Sequence, residues 1–140
     1  MGNTLHLLHV DDDDDDRYFL SHTIRESALP IALNALSDGQ EVIPSLNVTG
    51  VMPDVTLLDI KMSKMSGLDV LAALKRGKYR EIPVIMLTSS PLPSDIARAR
   101  ELGAQAYCVK PASALQLKDF VNRLYNSWQN KELISDWPRI

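Results

Sequence analysis

Leu5-His6-Leu7-Leu8-His9-Val10-Asp11-Asp12 is an apolar run that stops at two adjacent carboxylates, and the same design recurs along the chain. Further short apolar runs suited to buried strands occur at Ile31–Leu36, Val55–Leu58, 84–87 and Ala106–Val109, with longer helix-like segments between them. Leu20, Thr23 and Ile24 mark the first helix, Leu68, Leu71 and Leu74 the third after Ser66-Gly67, and Ile96, Ala99 and Leu102 the fourth after Ser94. In the last helix Leu117, Phe120, Val121, Leu124 and Trp128 fall at helical spacing, with Ser113 available as N-cap. Gly103 is a natural helix stop. Pro44 interrupts 39–46, so the second helix should be short, kinked or displaced. Five strands alternating with helices predict an α/β fold, a doubly wound parallel sheet with helices on both faces. For a chain this short the expected strand order is 2-1-3-4-5, the flavodoxin-like arrangement.

The length of 140 residues, 45% of them hydrophobic, suits one compact domain, and we expect no separate output domain. We expect a receiving unit over 1–128 and an extension over 129–140 that forms no domain of its own. A net charge of −3 is too weak to predict a grip on nucleic acid or an anionic membrane. Cys108 is the only cysteine, which excludes an internal disulfide, and its apolar surroundings suggest a small buried side chain in a reducing cytoplasm. Met1-Gly2-Asn3-Thr4 leads straight into an apolar pentad without a basic region, and no run approaches a membrane span, so the chain is expected to be soluble and unprocessed.

In a parallel sheet of this type ligands gather outside the carboxyl ends of the strands. Strand one ends at Asp11-Asp12, strand three at Asp59, strand four at Thr88 and strand five at Lys110. Three converging carboxylates repel, each pair at ~4 Å by about 1 kcal/mol in water and more at lower dielectric. A hard dication compensates them, and Mg²⁺ uses one or two carboxylates while keeping positions for water and phosphate oxygens. Lys110 adds a positive charge, and the Thr88 hydroxyl can donate to a phosphoryl oxygen.

Leu7-Leu8-His9-Val10-Asp11-Asp12, Leu57-Leu58-Asp59-Ile60-Lys61-Met62-Ser63-Lys64-Met65-Ser66-Gly67, Val84-Ile85-Met86-Leu87-Thr88-Ser89 and Tyr107-Cys108-Val109-Lys110-Pro111 together resemble the motifs of response-regulator receiver domains (CheY-like), over about residues 4 to 128. The resemblance implies that Asp59 is the phosphoacceptor, fed by a histidine kinase or phosphotransfer protein. Asp11, Asp12, Asp59 and the Lys61 backbone carbonyl would hold Mg²⁺. Thr88 becomes the phosphate-bonding hydroxyl, Lys110 the ion-pair partner of the phosphoryl group, and Tyr107 the switch aromatic that rotates inward once Thr88 moves. Lys61, and likewise Ser90, would tune phosphoryl lifetime. The resemblance also implies a cis Lys110-Pro111 bond, output through contacts of helix four, strand five and helix five with a separate target protein, and self-catalysed phosphorylation and dephosphorylation rather than enzyme action on a substrate. Neither nucleic acid nor membrane is expected as partner.

The chain departs from that family at Met62-Ser63, where Met-Pro is usual, a change expected to loosen the loop without touching a ligand. Asp13, Asp14, Asp15 and Asp16 read as a solvated acidic turn, with Asp14 or Asp15 capping helix one and Asp13 bordering the site. His6, His9 and His22 read as structural or surface residues. Leu133, Ile134 and Trp137 lack an obvious burial site in a finished receiver, and exposed apolar groups of that kind mark contact surfaces. The extension resembles that of the single-domain phytochrome-linked response regulators, and we expect it to pack across a homodimer interface. Three alternatives fit the residues less well. A haloacid-dehalogenase-type phosphatase needs Thr or Val where Asp15 stands, an anionic flavin is disfavoured by an all-Asp first loop, and a pseudo-receiver binding module would lack one of the five site residues.

Overall fold

All five apolar runs are strands: β1 (Leu5–Val10), β2 (Ile31–Leu36), β3 (Val55–Leu58), β4 (Val84–Thr88) and β5 (Ala106–Val109), paired in parallel in the order β2-β1-β3-β4-β5. The computed structural model describes residues 3–139. Met1, Gly2 and Ile140, which the readings of the N-terminus and of the extension include, lie outside the described residues. Between and after the strands run α1 (Asp14–Ser27), α2 (Val42–Thr49), α3 (Gly67–Arg76), α4 (Pro93–Glu101) and α5 (Ala114–Gln129).

The side-chain alternation of each strand divides the core into two layers. Leu8, Val10, Leu58, Val84 and Met86 pack with Val42 and Leu46 of α2, Val70, Leu71 and Leu74 of α3, and Ile96 and Ala99 of α4. Leu5, Leu7, Val55, Leu57, Ile85 and Leu87 pack on the other face with Leu20 and Ile24 of α1 and Phe120, Val121 and Leu124 of α5. Covering both faces explains why β3 and β4 are apolar without alternation, buried at every position.

Helix ends follow local chemistry, with two corrections. The α1 cap is Asp13, whose carboxylate accepts the Asp16 amide at 3.0 Å, rather than Asp14 or Asp15, which lie inside the first turn. The Lys110–Pro111 bond is trans, not cis. A short 3₁₀ turn (Gly39–Glu41) precedes α2, and Pro44 falls in the first turn of that helix, where a missing N–H loses no intrahelical bond. Ser113 caps α5 as expected, accepting from the Gln116 amide at 3.1 Å.

The extension differs most from expectation. Lys131 turns the chain with φ 61°, and the segment after it returns along the outer edge of β5. The Tyr107 amide donates to the Asp136 carbonyl at 2.9 Å, Gln105 Nε2 donates to the Ile134 carbonyl at 3.3 Å, and Arg123 pairs with Asp136. Ile134 is buried in the α1/α5 layer, and Trp137 packs beside Tyr107 with ring centroids 6.3 Å apart and the Arg100 guanidinium over its ring, 5.1 Å from the centroid. These residues therefore find burial on their own subunit, where they also cover a strand edge that would otherwise offer unpaired amides. The expectation that Leu133, Ile134 and Trp137 lack a burial site within the receiver is thereby corrected.

Candidate functional site

The sheet ladder continues one residue beyond three strands. The Asp11 amide donates to Leu36 O at 3.1 Å, the Asp59 amide to Val10 O at 3.0 Å, and the Lys110 amide to Thr88 O at 2.9 Å. Three backbones are thereby fixed at one rim, and their side chains meet. One carboxylate oxygen from each of Asp11, Asp12 and Asp59 lies within 4.8 Å of the others. Lys110 Nζ reaches into the group, 3.1 Å from Asp59 Oδ2 and 2.9 Å from Asp11 Oδ2.

The loop from Asp59 to α3 is clamped from behind. Gly67 donates to Ile60 O at 2.8 Å, and a Cβ built on Gly67 would stand 1.8 Å from the carbonyl oxygen of Asp59. Only a residue without a side chain allows α3 to start so close to the acceptor. The Asp59 carboxylate is correspondingly ordered, with Oδ1 accepting the Ile60 amide at 2.8 Å.

Burial raises the Asp11 carboxyl above its ordinary range, opposed by the Asp13 amide, which donates to Oδ1 at 2.9 Å, and by Lys110. Burial acts against the Lys110 charge, yet its bonds to Asp16 and Asp11 outweigh that and hold the ammonium above the ordinary lysine value. His9, buried behind Asp11, is pushed down to about 4 by burial first and then by Lys110, so it is neutral at physiological pH. A cavity of about 680 Å³ opens beside Lys110, with His9, Asp11 and Asp16 on its polar side and Phe19, Leu87 and Leu117 among its apolar walls.

Asp11, Asp12, Asp59 and Lys110 thus come together. Thr88 is fully buried at the end of β4 and accepts the Ser90 amide at 3.4 Å. Tyr107 is already inward, 1% exposed, with its hydroxyl donating to Ser90 O at 2.8 Å. The Ser90 hydroxyl donates to Asp95 Oδ2 at 2.6 Å at the start of α4. Lys61 is exposed. The loop amides of Met62 and Gly67 go to Ile60 O, and the Lys61 carbonyl accepts no hydrogen bond among the described residues.

Sequence reasoning missed two participants. Asp16 is not merely solvated, since its Oδ2 lies 2.6 Å from Lys110 Nζ. The signal was its position four residues before Leu20, on the core-facing stripe of α1. Ser63 does touch a site carboxylate, its amide donating to Asp12 Oδ2 at 2.8 Å.

The donor set fits a hard dication. All three side-chain groups offer oxygen, and the buried Asp11 Oδ2 has the Lys110 ammonium, 2.9 Å away, as its one close cationic partner among the described residues. Three clustered carboxylates that share one ammonium, itself also paired with Asp16, keep an excess of negative charge that a dication would neutralise.

A doubly wound sheet with three carboxylates and a lysine at its carboxyl rim is the arrangement of a family of signalling domains. The family model for the response regulator receiver domain matches residues 7–122, and the chain belongs to that family. It is 30% identical over 126 residues to the rice two-component response regulator ORR11, covering 88% of this chain and 82% of that protein. It is also 34% identical over 94 residues, 67% of this chain, to the luminescence regulatory protein LuxO of Vibrio campbellii, of whose length it spans only 20%. Among solved structures, the phosphorylated cyanobacterial phytochrome response regulator RcpA superposes with TM-score 0.83 at 26% identity, covering 92% of this chain and 96% of that one. The Mn²⁺-bound response regulator Rcp1 superposes with TM-score 0.79 at 26% identity, covering 96% and 99%. No helix among the described residues is long and apolar enough to cross a membrane.

Proposed function

We propose that this receiver accepts a phosphoryl group on Asp59 from a histidine kinase or phosphotransfer protein in a Mg²⁺-dependent reaction, and signals through protein contacts in the cytoplasm. The observation that carries the reading is the meeting of three carboxylates and one ammonium at a single rim, with Lys110 Nζ 3.1 Å from Asp59 Oδ2. Receiver domains are not enzymes in the ordinary sense, and the catalysis proposed here acts on the chain itself. Residues 1–128 act as the receiver and 129–140 as its extension.

Asp11, Asp12, Asp59 and the Lys61 carbonyl would hold the metal, which supplies charge neutralisation at the phosphoryl oxygens when bound. Ile60 N–H fixes Asp59 Oδ1, which leaves Oδ2 to attack phosphorus in line. A P–O bond forms as the P–N bond of the phosphohistidine breaks, its electron pair returning to the imidazole, and an aspartyl phosphate results. Lys110 meets the charge on the transferring group, and the Thr88 hydroxyl turns from Ser90 to donate to it. Tyr107, bonded to Ser90 O, carries that displacement toward α4 and the extension. Lys61 is free to fold over the phosphoryl group and hinder water. Slower hydrolysis in the wild type than in Lys61→Asn supports that role, and equal rates remove it. The bond of Ser90 to Asp95 argues against a direct part for its hydroxyl in lifetime. A pseudo-receiver has no observation in its favour.

Incubation with acetyl phosphate, with and without Mg²⁺, tests the reading by intact mass. A phosphoryl adduct that needs Mg²⁺ and is absent from Asp59→Asn is expected. An unmodified wild type under all donors and metals overturns it.

A further inference from the structure

We propose that Asp16 is a positioning residue that competes with the phosphoryl group for Lys110 and so restrains phosphorylation by anionic donors, a role that rests on the acceptor reading given above. The bond from Lys110 Nζ to Asp16 Oδ2, 2.6 Å, is shorter than that to Asp59 Oδ2, 3.1 Å. It is also the only ion pair of the Asp16 carboxylate among the described residues. Arg17, next in sequence, does not relieve it, because one guanidinium nitrogen is bonded to Asp11 O and the other to Asp14.

The arrangement has an electrostatic consequence. With a dication present, the three carboxylates of Asp11, Asp12 and Asp59 are balanced by the metal and by Lys110. Asp16 leaves one negative charge over, on the solvent side of the ammonium: its side chain is 37% exposed, against 18% for Lys110 and 5% for Asp59. That carboxylate also forms part of the cavity wall beside Lys110. An arriving phosphoryl group must both approach this charge and draw the ammonium from it. A helix-dipole role alone does not account for the contact, since Asp14 and Asp15 already supply acid to the first turn of α1.

The test compares Asp16→Asn with Asp15→Asn, which removes an equal charge from the same helical turn without touching Lys110. Initial labelling by acetyl phosphate at saturating Mg²⁺ and low ionic strength should be roughly tenfold faster in Asp16→Asn, while Asp15→Asn stays near wild type. The gain should shrink with added salt and be smaller for phosphoramidate, a less negative donor. Asp16→Glu should restore the slow rate. A metal-free readout accompanies these: acylation of the Lys110 amine, mapped by peptide mass, should speed up several-fold in Asp16→Asn as the ammonium loses its partner. Labelling of Asp16→Asn at or below the wild-type rate, or an equal gain in Asp15→Asn, overturns the proposal and leaves the acceptor reading standing. A wild type that takes no phosphoryl group from any donor overturns both.

Discussion

The amide of Ser63 donates to Asp12 Oδ2 at 2.8 Å, although 51 positions separate them in the chain. Proline, usual at this place in the family, has no N–H to give. The departure therefore adds a charge-assisted bond that orients a carboxylate of the acidic group. Such a bond to a partly exposed carboxylate contributes about 1 kcal/mol, equivalent to roughly a fivefold change in an equilibrium constant. Ser63→Pro should weaken Mg²⁺ binding by about that factor in calorimetric titration, whereas Ser63→Ala, which keeps the amide, should bind as wild type does. Equal affinities for the two variants would remove the assigned role of the amide.

Gly67 holds α3 against the backbone of the acceptor. A Cβ there would stand 1.8 Å from Asp59 O and 2.7 Å from Asp59 C, and neither atom can move without shifting β3 and its neighbours. Gly67→Ala should cost about 3 kcal/mol in urea unfolding and displace the Asp59 carboxylate, so that metal-induced spectral changes are lost as well. Unchanged stability would mean that the loop has room for a Cβ at Gly67 and that no clamp operates there.

The strands and the rim were legible because both depend on local pattern. Runs such as 55–58, buried on both faces, must be apolar throughout, and a carboxylate or lysine closing such a run stands out. Contacts that depend on tertiary neighbours were not legible. Asp16 looks like its solvated neighbours until Lys110, 94 residues away, is brought beside it. Ser90 occupies the position that the family resemblance implies, but Asp95, five residues on, takes its hydroxyl. Leu133, Ile134 and Trp137 follow no helical or strand period, so nothing in the sequence announces that the chain turns at Lys131 and lays them on β5.

Because Ile134 is 5% exposed and packs in the α1/α5 layer, the extension contributes to folding stability. Ile134→Ala should destabilise the chain by about 2 kcal/mol or more in chemical denaturation, through lost burial and the cavity left behind. Trp137→Ala should cost less, since that ring is only half-buried, yet it removes the packing beside Tyr107 and should alter the tyrosine fluorescence of the folded state. Full stability on ending the chain at Asn126 would show the extension to be detached in solution.

Cys108 offers a pH-dependent reporter of the same contact. Its thiol is pushed up to about 11, by burial first and then by the Asp136 carboxylate, with Arg123 acting in the opposite sense. Unfolding returns it to the ordinary value of 9.0, so between these limits the folded chain keeps a proton that the unfolded chain has released. The unfolded state then binds fewer protons, and stability contributed by this thiol is complete below pH 9 and declines as pH rises toward 11. Iodoacetamide should consequently alkylate the folded protein at pH 8 roughly a hundredfold more slowly than an unperturbed thiol, with the rate climbing in proportion to hydroxide up to its midpoint. Asp136→Asn should lower that midpoint and Arg123→Ala raise it, because each removes one of two opposed charges beside the sulfur. A wild-type midpoint near that of a free thiol would show that the strand edge is open to water, and with it the packing of the extension over β5 would fail.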